Sequence, residues 1–155
     1  MNTKNKGFTL IELLMVIAII GILASVILIS LNISRSKGAN AAVKSNLQSV
    51  RSQAELIYDQ NGASYATVCT DSVITKVINK AAESGLGTGS TFAVNSGSGQ
   101  TITTANCNSD ASGWAASVPL KTPEGPRLYW CLDSSGTAIG KINPLPALSV
   151  ICPSS

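Results

Sequence analysis

Residues 13–31 read LLMVIAIIGILASVILISL, an uncharged run in which Ser25 and Ser30 are the only hydrogen-bonding side chains. Both serines can bond back to their own helix. About 20 apolar residues at 1.5 Å rise cross the roughly 30 Å hydrocarbon core, so residues 8–31 predict a transmembrane helix. A cleaved secretory signal has a shorter apolar region ending at a small-residue cut, whereas this run continues well past Ala24, so the segment is expected to stay on the chain. Beyond residue 31 the pattern becomes amphipathic. Val43, Leu47, Val50, Ala54 and Ile57 recur every three or four residues on one helical face, with Lys44, Arg51 and Glu55 on the opposite one. Residues 32–60 therefore predict a continuation of the same helix, with Gly38 as its weak point and Asn61-Gly62 as its stop.

Residues 61–155 carry shorter signals. Thr70-Asp71 precedes a second helical pattern, Val73, Ile74, Val77, Ile78, Ala81 and Ala82, that reaches Gly85. The stretch 85–99, GLGTGSTFAVNSGSG, has glycines spaced like a phosphate loop. They follow a helix and lead into Thr, Ser and Asn, so the expectation is a flexible surface loop. Strand patterns occupy 114–118, 127–133 and 137–142, with a turn at Ser134-Ser135-Gly136 and a Pro- and Gly-containing connection over 121–126. They predict an antiparallel meander in which Leu128, Trp130 and Leu132 face one side and Tyr129 and Cys131 the other. Pro119 is expected to end its strand or place it at an edge. The fold class is α+β: a long N-terminal helix whose amphipathic half, 32–60, packs on a small C-terminal antiparallel sheet, with 61–155 as a variable loop region and head.

Charge and composition narrow the chemistry. Charged residues make up only 12% of the chain, about half the usual share, and Glu12 is the only charge between Lys6 and Arg35. The formal balance of +3 is too small an excess for a chain held by phosphate neutralisation, so nucleic acid is not assigned as a partner. Histidine is absent, which removes the commonest general base and metal ligand. Asp110, Glu124 and Asp133 stand apart, without the density of oxygens a calcium site needs. No catalytic residue, metal or cofactor is expected. At least two of Trp114, Tyr129 and Trp130 are expected in a core rather than in a sugar-binding patch. The four cysteines, Cys69, Cys107, Cys131 and Cys152, show no C-x-x-C spacing and predict two disulfides if this part lies outside the cytoplasm. Shorter loops favour Cys69 with Cys107 and Cys131 with Cys152, the crossed pairings staying open.

Glu12 is the most informative residue. A carboxylate in the middle of an apolar span costs about 2.5–3.5 kcal/mol and needs a partner. Its surroundings, Lys6-Gly7-Phe8-Thr9-Leu10-Ile11-Glu12-Leu13-Leu14, resemble the class III signal of type IV pilins and pseudopilins. That resemblance implies a pilin-like fold and a leader, residues 1–7, removed by a prepilin peptidase between Gly7 and Phe8, with N-methylation of Phe8. It implies that Glu12 of an incoming subunit neutralises the Phe8 amine of a neighbour, with Thr9 orienting Glu12. It further implies a single-pass precursor in the bacterial cytoplasmic membrane with its head on the outer side, then a helical homo-oligomeric surface filament built by an assembly platform and its ATPase. Many pilins carry a proline near the position of Ile29, and this chain has none before Pro119. The leading expectation is a structural subunit of a type IV pilus serving adhesion, motility or DNA uptake. The alternatives are a pseudopilin of a type II secretion or competence system and, more distantly, a membrane-anchored periplasmic binding protein.

Overall fold

The computed structural model describes residues 7–153. Lys4, Lys6 and the rest of the leader up to residue 6 lie outside these described residues. The chain divides into two compact units, Met1–Arg35 and Ser36–Ser155. One helix, α1 (Leu10–Gln60), contributes to both, passing Gly38 without interruption.

In the first unit α1 is an apolar helix with no packing partner among the described residues. Its most hydrophobic 18-residue window has a mean hydropathy of 3.0 and none of it is buried. Ser25 Oγ donates its proton to the Ile22 carbonyl at 2.7 Å, which hides that hydroxyl from an apolar surrounding. The position of Gly21 faces open space.

The second unit is a five-stranded sheet with helices on one face. After α1 come a single 3-10 turn (Val68–Thr70) and α2 (Ser72–Leu86), then β1 (Thr91–Val94), β2 (Thr104–Ser109), β3 (Trp114–Glu124), β4 (Arg127–Asp133) and β5 (Ala138–Lys141). The sheet order follows the chain, β1 to β5, antiparallel except that β1 joins β2 in parallel. Val43, Leu47, Val50, Ala54 and Ile57 of α1 meet Ile74, Ile78, Ala81 and Ala82 of α2 over Ala105, Cys107, Trp114, Ala116, Val118 and Leu132. This is the seam that the helical periodicity predicts.

Asp71 caps α2, its carboxylate accepting from the Val73 and Ile74 amides. The helix runs past the expected stop at Gly85 and ends at Gly87, whose φ of 99° is the left-handed conformation that glycine tolerates. Gly85 is instead a packing residue. A Cβ there would lie 2.2 Å from the Pro119 carbonyl oxygen. Gly85→Ala is expected to destabilise the head by about 1–3 kcal/mol, read as a lowered melting temperature.

Two expectations about the sheet are corrected. The stretch 85–99 is not wholly a loop, because Thr91–Val94 pairs with Thr104–Cys107 as β1. β3 is the central strand and continues through Pro119, which is paired with Tyr129. Pairing with β2 ends at Ser117, and the Pro119 carbonyl turns towards Gly85. A residue's N–H points the same way as its carbonyl, so the proline forfeits no ladder bond here.

The polar side chains of α1 are also not simply a solvated face. Lys44 Nζ meets both carboxylate oxygens of Glu124, at 2.8 and 2.6 Å, and lies 4.6 Å from the Trp130 ring centroid. Asn40 exchanges bonds with the Thr122 backbone and also donates to Glu124 at 3.2 Å. Arg51 donates to the Thr137 carbonyl at 3.3 Å, and Glu55 accepts from the Tyr65 hydroxyl at 3.2 Å. These groups fasten α1 to the end of β3, to the β4–β5 turn and to the loop that follows the helix.

The Lys44 ammonium, with Asn40, holds the Glu124 carboxyl below its ordinary value of 4.5. A depressed folded pKa gives stability that is full above the unfolded value and is lost as pH falls through the folded one. The stability difference between the native chain and Lys44→Gln is therefore expected to shrink in acid, below about pH 4. Denaturation of the two proteins across that range checks it.

Candidate functional site

The N-terminal site begins with local capping. The Thr9 carbonyl accepts from the Leu13 amide at 3.3 Å, making Thr9 the cap of α1 and Glu12 its third residue. Thr9 N donates to Glu12 Oε2 at 2.8 Å, Thr9 Oγ1 donates to the same oxygen at 2.6 Å, and the Glu12 amide donates back to Thr9 Oγ1 at 3.3 Å. This reciprocal arrangement is a capping box, and the sequence Thr9-Leu10-Ile11-Glu12 spells it. The helix dipole also favours an acid in this first turn.

Both bonds to Glu12 end on Oε2, and among the described residues Oε1 accepts none. Gly7 and Phe8 precede the helix in irregular, exposed backbone, and Phe8 is 83% exposed. The Gly7–Phe8 junction is thus accessible, with an anchored carboxylate one helical turn away. That turn brings Phe8, Thr9 and Glu12 into one short segment. Cutting after Gly7 would place a cationic amine at the residue before Thr9, whose own amide already binds Glu12. Low dielectric makes opposite charges at this depth attract strongly and makes either one alone expensive.

The head holds the second set of candidate residues. Cys69 is bonded to Cys107, with Cα atoms 5.6 Å apart, and Cys131 to Cys152, with Cα atoms 5.9 Å apart. The first bond ties the 3-10 turn to β2 within the helical-side core. The second fixes the C-terminal tail over the other face of the sheet, where Ala115, Cys131, Leu145 and Cys152 cluster.

Sequence reasoning missed the polar groups that hold this tail. Gln100 donates to the Thr104 and Ser117 carbonyls and accepts from the Leu145 amide, each at 3.0 Å. Asn108 Nδ2 donates to the Pro146 and Ser149 carbonyls at 3.3 and 3.0 Å. Asp133, fully buried, takes Ser135 and Thr137 on Oδ1 and the Cys152 amide on Oδ2 at 2.8 Å. The one available signal was the alternation of TANCNS, which puts Thr104, Asn106 and Asn108 on one polar face of the strand.

Asp110 plays a similar local part, accepting from the Ser112 hydroxyl and amide and the Gly113 amide, bonds that lower its carboxyl pKa. Trp114 and Tyr129 are buried and Trp130 is half-buried against the core, so the three aromatics form no common surface patch. A cleft of about 400 Å³ includes Tyr65, Ser112, Ser134 and Ser135 in its lining, and the hydroxyls of Tyr65, Ser112 and Ser135 are already committed to acids of the fold. Among the described residues no cluster of Cys, Asp or Glu is arranged to hold a metal ion.

The family model for the prokaryotic N-terminal methylation motif matches residues 2–28. No match was found among curated proteins or among solved structures. The matched segment contains the Gly7–Phe8 junction, the capping box and most of the apolar run. Such a motif implies processing by a prepilin peptidase and assembly into pili or pseudopili. With its long apolar helix, the chain is consistent with a membrane-anchored precursor. The chain therefore carries, at residues 2–28, the class III signal of type IV pilins and pseudopilins, joined to a pilin-like α+β head.

Proposed function

We propose that the chain is a structural, non-catalytic subunit of a type IV pilus. It is inserted as a single-pass precursor in the cytoplasmic membrane with the head outside, cut between Gly7 and Phe8, methylated on Phe8, and stacked through α1 into a helical surface filament. The prepilin peptidase makes the cut, and an assembly platform with its ATPase moves the subunit out of the membrane.

The observation that carries this reading is the capping box beside the junction. Thr9 fixes one oxygen of Glu12 and leaves Oε1 for a donor from outside the chain. The amine of Phe8 on a neighbouring subunit is a donor of the right charge at the same depth, so correct axial register is favoured over offsets that leave both charges alone. The exposed apolar surface from Leu10 to Ile33 supplies the contact area for lipid first and for neighbouring helices afterwards. Two disulfides in a small head suit an oxidising exterior.

Intact mass and N-terminal sequencing of the membrane-extracted chain test the processing. A start at methylated Phe8 is expected. A start at Met1, or a start inside the apolar run, overturns it.

A further inference from the structure

The head has two chemically different ends. At the Trp114 end of β3 lie the turn Asp110–Gly113, which receives the Tyr65 amide on the Ala111 carbonyl, the turn 134–136 and tail residues Val150 and Ile151. Glu55 is held there by the Tyr65 hydroxyl with Asp59 one turn further along α1, and Asp110 lies in the turn itself. Asp71 follows the 3-10 turn whose Cys69 amide bonds Ser109 Oγ at the end of β2, an excess of acid even with Arg51 and Lys76 counted. At the other end the hairpin Glu124–Arg127 is pinned to Asn40 and Lys44, and Lys37, Lys121 and Arg127 are exposed while Glu124 is neutralised by Lys44. The head is therefore an electric dipole along its strands.

Apolar features repeat this polarity. On the tail, Leu148 sits in a left-handed conformation, φ 53°, that an ordinary side chain avoids, yet it is 60% exposed. It occupies the third position of a turn closed by the Ser149 amide on the Pro146 carbonyl, and Asn108 grips that turn from below. Ile151, 61% exposed, stands beside it in sequence on the same fastened tail. Towards the opposite end, Ile102, Pro119, Leu120, Leu128 and Tyr129 line an apolar hollow of about 220 Å³.

We propose that the tail knob of Leu148 and Ile151 on one head seats in the hollow at Leu120, Leu128 and Tyr129 on a second copy of this chain, with the acidic end of the first facing the basic end of the second. Contact between two different patches is heterologous and propagates, as an open filament requires and a closed dimer does not. Complementary end charges orient the approach, and the apolar insertion gives the contact its cohesion. The inference rests on the reading of the chain as a filament subunit and adds the surface by which its heads meet.

The test uses the full chain in cells that assemble it. A photoreactive phenylalanine analogue at position 148 is expected, after irradiation of sheared filaments, to join residues 119–129 of another copy, identified by mass spectrometry of the crosslinked peptides. Leu148→Gly removes the knob and relieves the backbone strain. It is expected to leave the isolated chain's melting temperature equal or higher while lowering filament yield roughly tenfold. Leu128→Asp, at the rim of the hollow, is expected to lower the yield likewise. Crosslinks only within one copy or to other segments, or full filament yield from both variants, overturn the proposal while the filament reading stands. Failure of the native chain to enter any filament overturns the filament reading itself.

Discussion

Glu12→Val is expected to leave the precursor in the membrane and still cut after Gly7, while its entry into filaments falls by two orders of magnitude or more. The reason is the ammonium of Phe8, not the lost carboxylate. Valine at position 12 is comfortable in an apolar helix, so insertion does not suffer. In the polymer, however, each Phe8 amine would be buried without its counter-charge, a loss of about 3–5 kcal/mol per contact. At 1.4 kcal/mol per factor of ten this is roughly a hundredfold to a few thousandfold in the incorporation equilibrium. Glu12→Gln separates charge from capping. Glutamine still closes the capping box with Thr9 but carries no charge, so it is expected to assemble poorly too. Immunoblots of sheared and membrane fractions read both. Normal filament yield from Glu12→Gln would assign Glu12 to helix capping alone.

Reduction of both disulfides is expected to take away most of the head's stability. The chain-entropy relation gives about 4 kcal/mol for the Cys69–Cys107 separation of 38 residues and about 3 kcal/mol for the Cys131–Cys152 separation of 21. Domains of this size are stable by about 5–15 kcal/mol in all, so the two bonds together decide whether the head stays folded. The two losses differ in kind. Cys152→Ser releases the tail from β4 and uncovers Asn108, Gln100 and Asp133, which lose partners they hold now. Cys69→Ser loosens the turn that feeds α2 and leaves the tail in place. Melting curves with and without reductant, and for each serine variant, are expected to rank native, single variants and doubly reduced chain in falling order.

The helical half of the fold was legible because helices advertise themselves locally. The apolar run, the amphipathic seam from Val43 to Ile57 and the Asp71 cap all follow from spacing alone. The contact between Thr9 and Glu12 was legible through the resemblance to the class III signal, since the two residues lie within one helical turn. The sheet was legible only where its strands are apolar. β4, with Tyr129, Trp130 and Leu132, declares itself. β2, TANCNS, does not, because its core face is Ala105 and Cys107 and its other face carries Asn106 and Asn108, the latter held by a tail distant in sequence. β1 hid inside a glycine-rich stretch whose pairing with β2 is set by tertiary contact rather than by propensity. The reading of Pro119 as a strand end or an edge position failed for β3 as a whole, because β3 is central along β2 and runs on past it against β4 alone. Position 119 is beyond the end of β2, which a single strand's sequence does not disclose.

The two border strands of the sheet, β1 and β5, are four residues each, and β5 ends on Lys141. Unsatisfied backbone donors and acceptors along a border invite another chain to add a strand, and shortness discourages it. Heads crowded side by side at very high local concentration would otherwise be candidates for runaway cross-β growth. Brevity at both margins lets such crowding stay reversible, with copies meeting through side chains and keeping their backbones to themselves.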